Sequence, residues 1–225
     1  MNKKKSLLLI WKDPKTRTRY KIGRLEKNEE NFIFEYVDPE LSTALRNKFT
    51  IYPGFPDLNK VYVAPDLFPN ISGRLPNKTR NDYIEILNFY DLDKSASDFE
   101  ILKKTRGRLI TDNFEFVPAF NKNKLEFEVA GTRYSKQLEK YKKLITVNLD
   151  LSLELTNYNG EPAIKIITNV DSKKIELGYV PRYYAKEIAD LLENGVKYSA
   201  MIKNVRFNQY NPDEHITAVV KLLFD

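Results

Sequence analysis

Cysteine is absent from the 225 residues of the chain, and histidine occurs once, as His215. The absence of cysteine excludes disulfides and thiolate metal sites and is typical of a reducing compartment. With a single histidine, Ser-His or Cys-His catalysis and histidine-rich metal sites are almost ruled out. His215 follows Pro212 in a polar stretch. We interpret it as a solvated turn residue.

Phosphate-handling motifs and long apolar runs are missing as well. The sequence has no GxxxxGK[ST] loop, no GxGxxG that follows a strand, and no HRDxxxxN stretch of a kinase. The apolar run from Leu7 to Trp11 is too short for a signal-peptide core or a membrane span. We therefore expect a non-catalytic binding or regulatory protein in the cytoplasm, with no metal, no cofactor and no membrane partner.

Positive charge is unevenly distributed. The net charge is +6; residues 1–124 hold 23 basic against 17 acidic residues, whereas residues 125–225 hold 14 of each. Seven basic residues lie close together in the first half: Lys12, Lys15, Arg17, Arg19, Lys21, Arg24 and Lys27. They form either a solvated charged face or a surface that follows a nucleic-acid backbone. A nucleic-acid site in the second half would have to be local.

Hydrophobic periodicity predicts an α+β chain in two small domains, 1–120 and 124–225, with the polar stretch 121–124 as the linker. The first domain is predicted to contain short antiparallel strands and helices at 39–49, 83–89 and 98–104, the last capped by Ser97. The second is predicted to contain strands at 125–130, 145–155, 163–168, 175–180, 196–206 and 216–224, and helices at 135–143 and 182–194.

Three stretches of the second half occur in a characteristic order: "VAGTRYSKQL", "LELTNYNGEPAIKI" and "LGYVPRYYAKEIADLLENG". Together they resemble the HIRAN domain, a small β-barrel-like module of replication-fork helicases and many bacterial proteins. In that family a strand ending in small residues leads into an Arg-Tyr-type pair. A turn then precedes an Ala-Ile strand, and a Gly-aromatic-x-Pro step leads into a helix. The resemblance implies a β-barrel-like domain with a helix.

Members of this family in fork helicases bind the 3′-hydroxyl end of single-stranded DNA, so the resemblance implies a DNA site. Its residues would be Arg133, Tyr134, Tyr158, Asn159, Tyr179, Arg182, Phe207 and Tyr210. An exposed ring can stack on an unpaired base, and an arginine can bind phosphate. Asn159 stands where the family often has aspartate, which leaves hydroxyl recognition open. Alternatively, Tyr134 and Tyr158 pack on neighbouring strands, and the Gly178–Pro181 step is only a turn before a helix.

The first half contains a stretch, "LFPNISGRLPNKTRNDYIEILNFYDLDKSASDFEILKKTRGRLITDNFEFVP", that is similar to the N-terminal region of HipA-type toxin kinases. The kinase core is missing. The resemblance implies a HipA-N-like, basic α+β domain that docks on a kinase; the alternative is a short α+β domain with chance similarity.

Two functions follow from these resemblances. One is a non-catalytic protein that binds single-stranded DNA or DNA 3′ ends in bacterial defence or DNA repair, with a helicase or nuclease as partner. The other is a regulatory subunit of a HipA-type toxin–antitoxin-like system, with a kinase as partner.

Overall fold

The structure of the chain, a computed structural model, describes residues 5–207 and 216–225. The chain divides into two compact units, Met1–Ala119 and Phe120–Asp225. This boundary lies beside the predicted linker 121–124; that the two units are separable domains stays a prediction. Within the described residues, no helix is both long enough and apolar enough to cross a membrane.

The N-terminal unit is built on one antiparallel sheet of five strands in the order β4-β3-β2-β1-β5. The strands are β1 Lys5–Lys12, β2 Arg19–Lys27, β3 Phe32–Tyr36, β4 Tyr62–Ala64 and β5 Phe114–Pro118. The helices are α1 Glu40–Arg46, α2 Pro69–Ser72, α3 Tyr83–Phe89 and α4 Asp98–Thr105. The predicted cap of α4 is confirmed, because the Ser97 hydroxyl accepts the Glu100 N–H and the Glu100 carboxylate accepts the Ser97 N–H.

Aromatic rings dominate the core of this unit. Phe34 and Phe55 stack with their centroids 4.0 Å apart, and Tyr52 lies against Phe55. The Tyr36 hydroxyl donates to the Phe55 carbonyl at 2.9 Å and accepts the Tyr52 N–H at 3.1 Å. Burial raises the pKa of Tyr36 to about 12, so this hydroxyl stays protonated and continues to donate to that carbonyl. The resemblance of this unit to HipA-type proteins stays a prediction.

The C-terminal unit contains two antiparallel sheets of three strands, β10-β11-β6 and β7-β8-β9. The strands are β6 Leu125–Glu128, β7 Ser152–Tyr158, β8 Glu161–Val170, β9 Lys173–Tyr179, β10 Tyr198–Phe207 and β11 Ile216–Phe224. The helices are α5 Lys136–Tyr141 and α6 Arg182–Glu193, with 3₁₀ turns at Thr132–Tyr134 and Lys142–Leu144. The expected α+β class is confirmed.

Two isolated bridges join the edges of these sheets. Ala130, just after β6, pairs with Tyr179 at the end of β9, and Asp150, just before β7, pairs with Met201 in β10. Each sheet is thereby linked to the other at both edges, so the six strands form a closed, barrel-like ring. Ala185, Ile188 and Ala189 form part of the buried face of α6.

One predicted strand is wrong over half of its length. Residues 145–151 are not part of β7, which begins at Ser152. Asn148 has a φ of 65°, a left-handed conformation that interrupts an extended strand. Its N–H bonds to the Ile202 carbonyl at 2.7 Å, and the Leu151 N–H bonds to Ala200 at 2.9 Å. The segment therefore follows β10 through isolated hydrogen bonds.

Gly178 supports the first testable prediction. Its φ is +146°, and a Cβ at this position would lie 2.4 Å from the Ala130 oxygen and 2.9 Å from Val129 Cγ1. Gly195 also has a positive φ, +70°, but no atom lies within 4 Å of its added Cβ. We expect Gly178→Ala to lower the free energy of unfolding by roughly 1–3 kcal/mol more than Gly195→Ala. Urea unfolding of both variants measures the difference, and equal losses would contradict the close approach of these strands.

Candidate nucleic-acid interface

The stretch from Val129 to Tyr134 follows β6 and leads the chain out of the two sheets of the C-terminal unit. The Val129 N–H bonds to the Ala218 carbonyl in β11 at 2.9 Å, and Ala130 exchanges two 2.8 Å hydrogen bonds with Tyr179. Gly131 then adopts a φ of 74°. Thr132 is fully buried, and its hydroxyl donates to the Ile216 carbonyl at 3.2 Å. The glycine therefore turns the chain outward while both neighbours hold it to the barrel.

Arg133 and Tyr134 form a local pair at this turn. The Arg133 guanidinium carbon lies 4.5 Å from the centroid of the Tyr134 ring, and Nη2 donates to the Tyr134 hydroxyl. The ring of Tyr134 is nevertheless 71% exposed. A Cβ added at Gly131 would lie 3.7 Å from Cδ2 of Tyr134 and 3.8 Å from Cδ2 of Tyr179. The two tyrosines thus flank Gly131, and the structure brings three of the predicted site residues together.

The segment after Tyr134 is fixed to the backbone of β9 at Glu176, next to the Ala130–Tyr179 bridge along the same edge. The Ser135 hydroxyl donates to the Glu176 carbonyl and accepts the Leu138 N–H at 3.1 Å as the cap of α5. The Glu176 N–H donates to the side-chain oxygen of Gln137 at 2.9 Å. These bonds cover the edge of the sheet and hold the Arg133–Tyr134 turn beside it.

Tyr158 lies at the end of β7, opposite Glu161, and is also 71% exposed. Asn159 and Gly160 join β7 to β8 with φ values of 53° and 82°, the pattern of a two-residue hairpin turn with two left-handed residues. The Asn157 side chain accepts the Gly160 N–H at 2.8 Å. The turn conformation is sufficient to explain an asparagine at 159, and its role toward a hydroxyl stays a prediction.

Register places Tyr158 and Tyr179 on one face of the sheet. Tyr158 is directly opposite Glu161, and Tyr179 is directly opposite Lys165. Side chains of opposed residues share a face, and the two β8 residues are four positions apart, which is an even number. The two tyrosines therefore lie on the same face, separated by about 13 Å along β8.

Arg182, the first residue of α6, is held by a carboxylate. Its Nε and Nη2 each lie 2.7 Å from an oxygen of Glu161. The hydrogen bond from Arg182 lowers the pKa of Glu161, so this carboxylate stays ionised and balances the charge of the guanidinium. A phosphate at the start of α6 would have to share Arg182 with Glu161.

Of the two remaining predicted residues, the structure describes Phe207, the last residue of β10. Phe207 is 56% exposed and pairs with Ile216, whose carbonyl accepts the Thr132 hydroxyl. Strand pairing and this hydrogen bond therefore connect Phe207, through Ile216 and Thr132, to the Arg133–Tyr134 turn. Tyr210, and likewise His215, lie outside the described residues.

A group of lysines around Tyr141 was missed by the sequence analysis. The ammonium groups of Lys140 and Lys173 each lie 5.1 Å from the centroid of the Tyr141 ring. Lys142 and Lys143, next along the chain, are exposed. These four residues are called the Tyr141 lysine cluster below. Its first member, Lys140, lies in the last turn of α5, the helix that follows Tyr134 in the chain. The run "KQLEKYKK" was a signal for it, but the zero net charge of residues 125–225 concealed it.

Comparison with known proteins gives one finding for this region. Residues 122–221 match the family model of the HIRAN domain. The match supports the predicted resemblance of the C-terminal half, and HIRAN domains are generally associated with DNA binding. It does not extend to the N-terminal unit. No curated protein and no solved structure matches the chain.

The exposure of the two tyrosines generates the second prediction. Because Tyr134 and Tyr158 are each 71% exposed, replacing either with alanine removes little buried surface. We expect both variants to keep the wild-type free energy of unfolding within about 0.5 kcal/mol. Tyr184, which is 0% exposed, serves as the control, and Tyr184→Ala should cost about 3–5 kcal/mol. A large loss in the first two variants would show that their rings belong to the core.

Proposed function

We propose that the C-terminal unit binds single-stranded DNA and recognises free 3′-hydroxyl ends, and that the chain acts in bacterial defence or DNA repair without catalysing a reaction. The observation that carries the proposal is the Tyr134 ring, which is 71% exposed beneath the guanidinium of Arg133 in a region that matches the HIRAN domain. An exposed ring beside an arginine can stack on an unpaired base.

The aromatic residues are suited to stacking on successive bases. Tyr134 and Tyr179 flank Gly131, and Tyr158 lies on the same face as Tyr179, about 13 Å along β8. That spacing suits rings that hold different bases of one strand. Stacking does not depend on base identity, so we expect little sequence preference.

Two groups of basic side chains would attract the phosphates of the DNA strand. Arg133 already lies against Tyr134, where a guanidinium can contact both a base and its phosphate. The Tyr141 lysine cluster lies farther along α5 and offers several ammonium groups to the same strand. A strand whose end base stacks at Tyr134 would then extend along α5. Arg182 contributes less in this arrangement, because Glu161 balances its charge.

The competing function is that of a regulatory subunit that binds a kinase through a HipA-N-like first half. It rests on a sequence resemblance alone, and the DNA-binding test separates it from the proposal. Absence of any binding to single-stranded DNA at low salt would favour this second function.

The central experiment measures binding of the full chain to a short oligonucleotide by fluorescence anisotropy. We expect single-stranded DNA with a free 3′-hydroxyl to bind more tightly than the same strand with a 3′-phosphate, and more tightly than a duplex. Tyr134→Ala and Tyr158→Ala should each weaken binding by about 1–3 kcal/mol, the contribution of one stacked base. Arg133→Ala should also weaken binding, and this loss should shrink at high salt, which screens phosphate attraction.

Two outcomes would contradict parts of the proposal. Equal affinity for free and blocked 3′ ends would remove end recognition and leave general strand binding. Unchanged affinity in both tyrosine variants, with folding intact, would remove the site itself.

The Tyr141 lysine cluster is tested by salt dependence. Replacing Lys140 and Lys173 with glutamine should reduce the slope of log affinity against log salt by about 1.4, since each phosphate contact to a single strand contributes about 0.7. The matched control replaces Lys122 and Lys197, whose carbonyls bond to Phe224 and Asp225 at the far end of β11. That end lies roughly 25 Å from Ile216 and Thr132. Equal slopes in both double variants would show that the cluster does not contact the strand.

A further inference from the structure

The sequence contains two Asn-Gly dipeptides, Asn159–Gly160 and Asn194–Gly195, and both belong to the C-terminal unit. Asparagine loses ammonia most readily before glycine, because glycine has no Cβ to hinder attack by its backbone nitrogen on the asparagine side chain. All four residues are exposed to solvent. The two places therefore share the same reactive dipeptide and differ in the backbone that holds it.

Asn194–Gly195 lies at the end of α6, where hydrogen bonds restrain it. The Asn194 side-chain nitrogen donates to the Asp190 carbonyl at 2.6 Å, and the Asn194 N–H donates to the same carbonyl at 3.2 Å. The Gly195 N–H donates to the Leu192 carbonyl at 3.0 Å. Attack on the Asn194 side chain therefore requires that the last turn of the helix open.

Asn159–Gly160 joins β7 to β8 and is restrained less. Within the described residues, the Asn159 side chain has no hydrogen-bond partner. The Gly160 N–H donates to the side-chain oxygen of Asn157 at 2.8 Å, and no atom lies within 4 Å of a Cβ added at Gly160. The nitrogen that would attack is thus held by an exposed side chain, and the space around it is open.

We propose that Asn159 is a site of spontaneous deamidation and that the fold protects Asn194 from the same reaction. The Gly160 nitrogen loses its proton and forms a bond to Cγ of Asn159, while the side-chain amide nitrogen leaves as ammonia. Water then opens the five-membered imide and returns a proton to the Gly160 nitrogen. Attack of water at Cγ gives aspartate, and attack at the backbone carbonyl carbon gives isoaspartate. Either product carries a carboxylate where Asn159 was neutral.

Asn157 controls the rate in this scheme without taking part in the reaction. Its side-chain oxygen holds the N–H that must lose its proton before the nitrogen can attack. Ring closure also requires rotation of the backbone at Asn159, which breaks this hydrogen bond. Deamidation therefore proceeds from a locally opened turn, and the Asn157 side chain lowers the population of that open state.

The new carboxylate would lie in the candidate DNA interface, and this consequence rests on the function proposed above. Tyr158, whose ring is 71% exposed, directly precedes Asn159 in the turn. A negative charge beside this ring repels the phosphates of a strand whose base is stacked there. Deamidation therefore lowers the affinity of the chain for single-stranded DNA as the protein ages.

The first experiment incubates the full chain for several weeks at mildly alkaline pH and physiological temperature and measures peptide masses. Trypsin releases the two dipeptides in separate peptides, 144–165 and 187–197. We expect Asn159, located by fragmentation, to gain the mass of an amide-to-carboxylate change about tenfold faster than Asn194, because fewer hydrogen bonds must break. In urea the two rates should become similar. Equal rates in the folded chain, or a faster change at Asn194, would overturn the proposal.

Two variants test the chemistry. Asn159→Gln should abolish the change, because a glutamine side chain would have to close a less favourable six-membered ring. Asn157→Ala should raise the rate at Asn159 by about two- to tenfold, the effect of one lost hydrogen bond. The rate at Asn194 in the same sample shows whether the fold is intact, since it rises only if the helix end opens. An unchanged rate at Asn159 in Asn157→Ala would contradict the protecting role of Asn157.

The second experiment tests the consequence for DNA with Asn159→Asp, which reproduces one product. At low salt this variant should bind single-stranded DNA about two- to fivefold more weakly than wild type, and the difference should shrink as salt rises. The matched control, Asn194→Asp, adds the same charge about 18 Å along α6 from Arg182 and should leave affinity unchanged.

The two experiments separate this inference from the proposed function. If wild type binds no DNA while Asn159 still deamidates faster than Asn194, the modification stands and the proposed function fails. If wild type binds DNA and Asn159→Asp binds it equally well, the effect of deamidation on the DNA interface is overturned.

Discussion

The paired hydrogen bonds between Ala130 and Tyr179 are the contact on which the C-terminal unit depends. They close one seam of the six-stranded ring, and they bring the chain so near Gly178 that a Cβ there would lie 2.4 Å from the Ala130 oxygen. The same bonds determine where β6 ends and where Gly131 turns outward. The Arg133–Tyr134 pair, in which the Tyr134 side chain is exposed, therefore takes its position from backbone geometry.

Charge in this unit is arranged by pairing. The carboxylates of Glu154, Glu161 and Glu176 bind Lys174, Arg182 and Lys165 at distances of 2.6–2.9 Å. These pairs all involve residues of the β7-β8-β9 sheet and the start of α6. They balance charge there, whereas α5 and the turn before Lys173 place several lysines around Tyr141. A zero net charge is thus compatible with a local basic surface next to the exposed tyrosine, because attraction to a strand depends on nearby charges.

Local pattern predicted much of this fold. The last strand, 216–224, and the helix at 182–194 were found because their apolar spacing extends over a whole element. The Asn159–Gly160 turn could also be expected, since this dipeptide suits two left-handed residues. The first part of the strand expected at 145–155 was wrong because Asn148 takes a positive φ that apolar spacing does not reveal. Of the candidate site, residue types were predictable, but pairings such as Arg182 with Glu161 were not, because register across a sheet is set by the whole fold.

The ion pairs of Glu115 could not be predicted from the order of residues in the sequence. Arg19, Arg106 and Arg108 meet one carboxylate only because β5 pairs with β1 and the "TRGR" loop is bonded back to β5. In the sequence, Arg19 belongs to a basic hairpin that is equally well explained as a solvated face. Burial of Glu115 changes that interpretation, since a buried carboxylate orients guanidinium groups that would otherwise move freely in water.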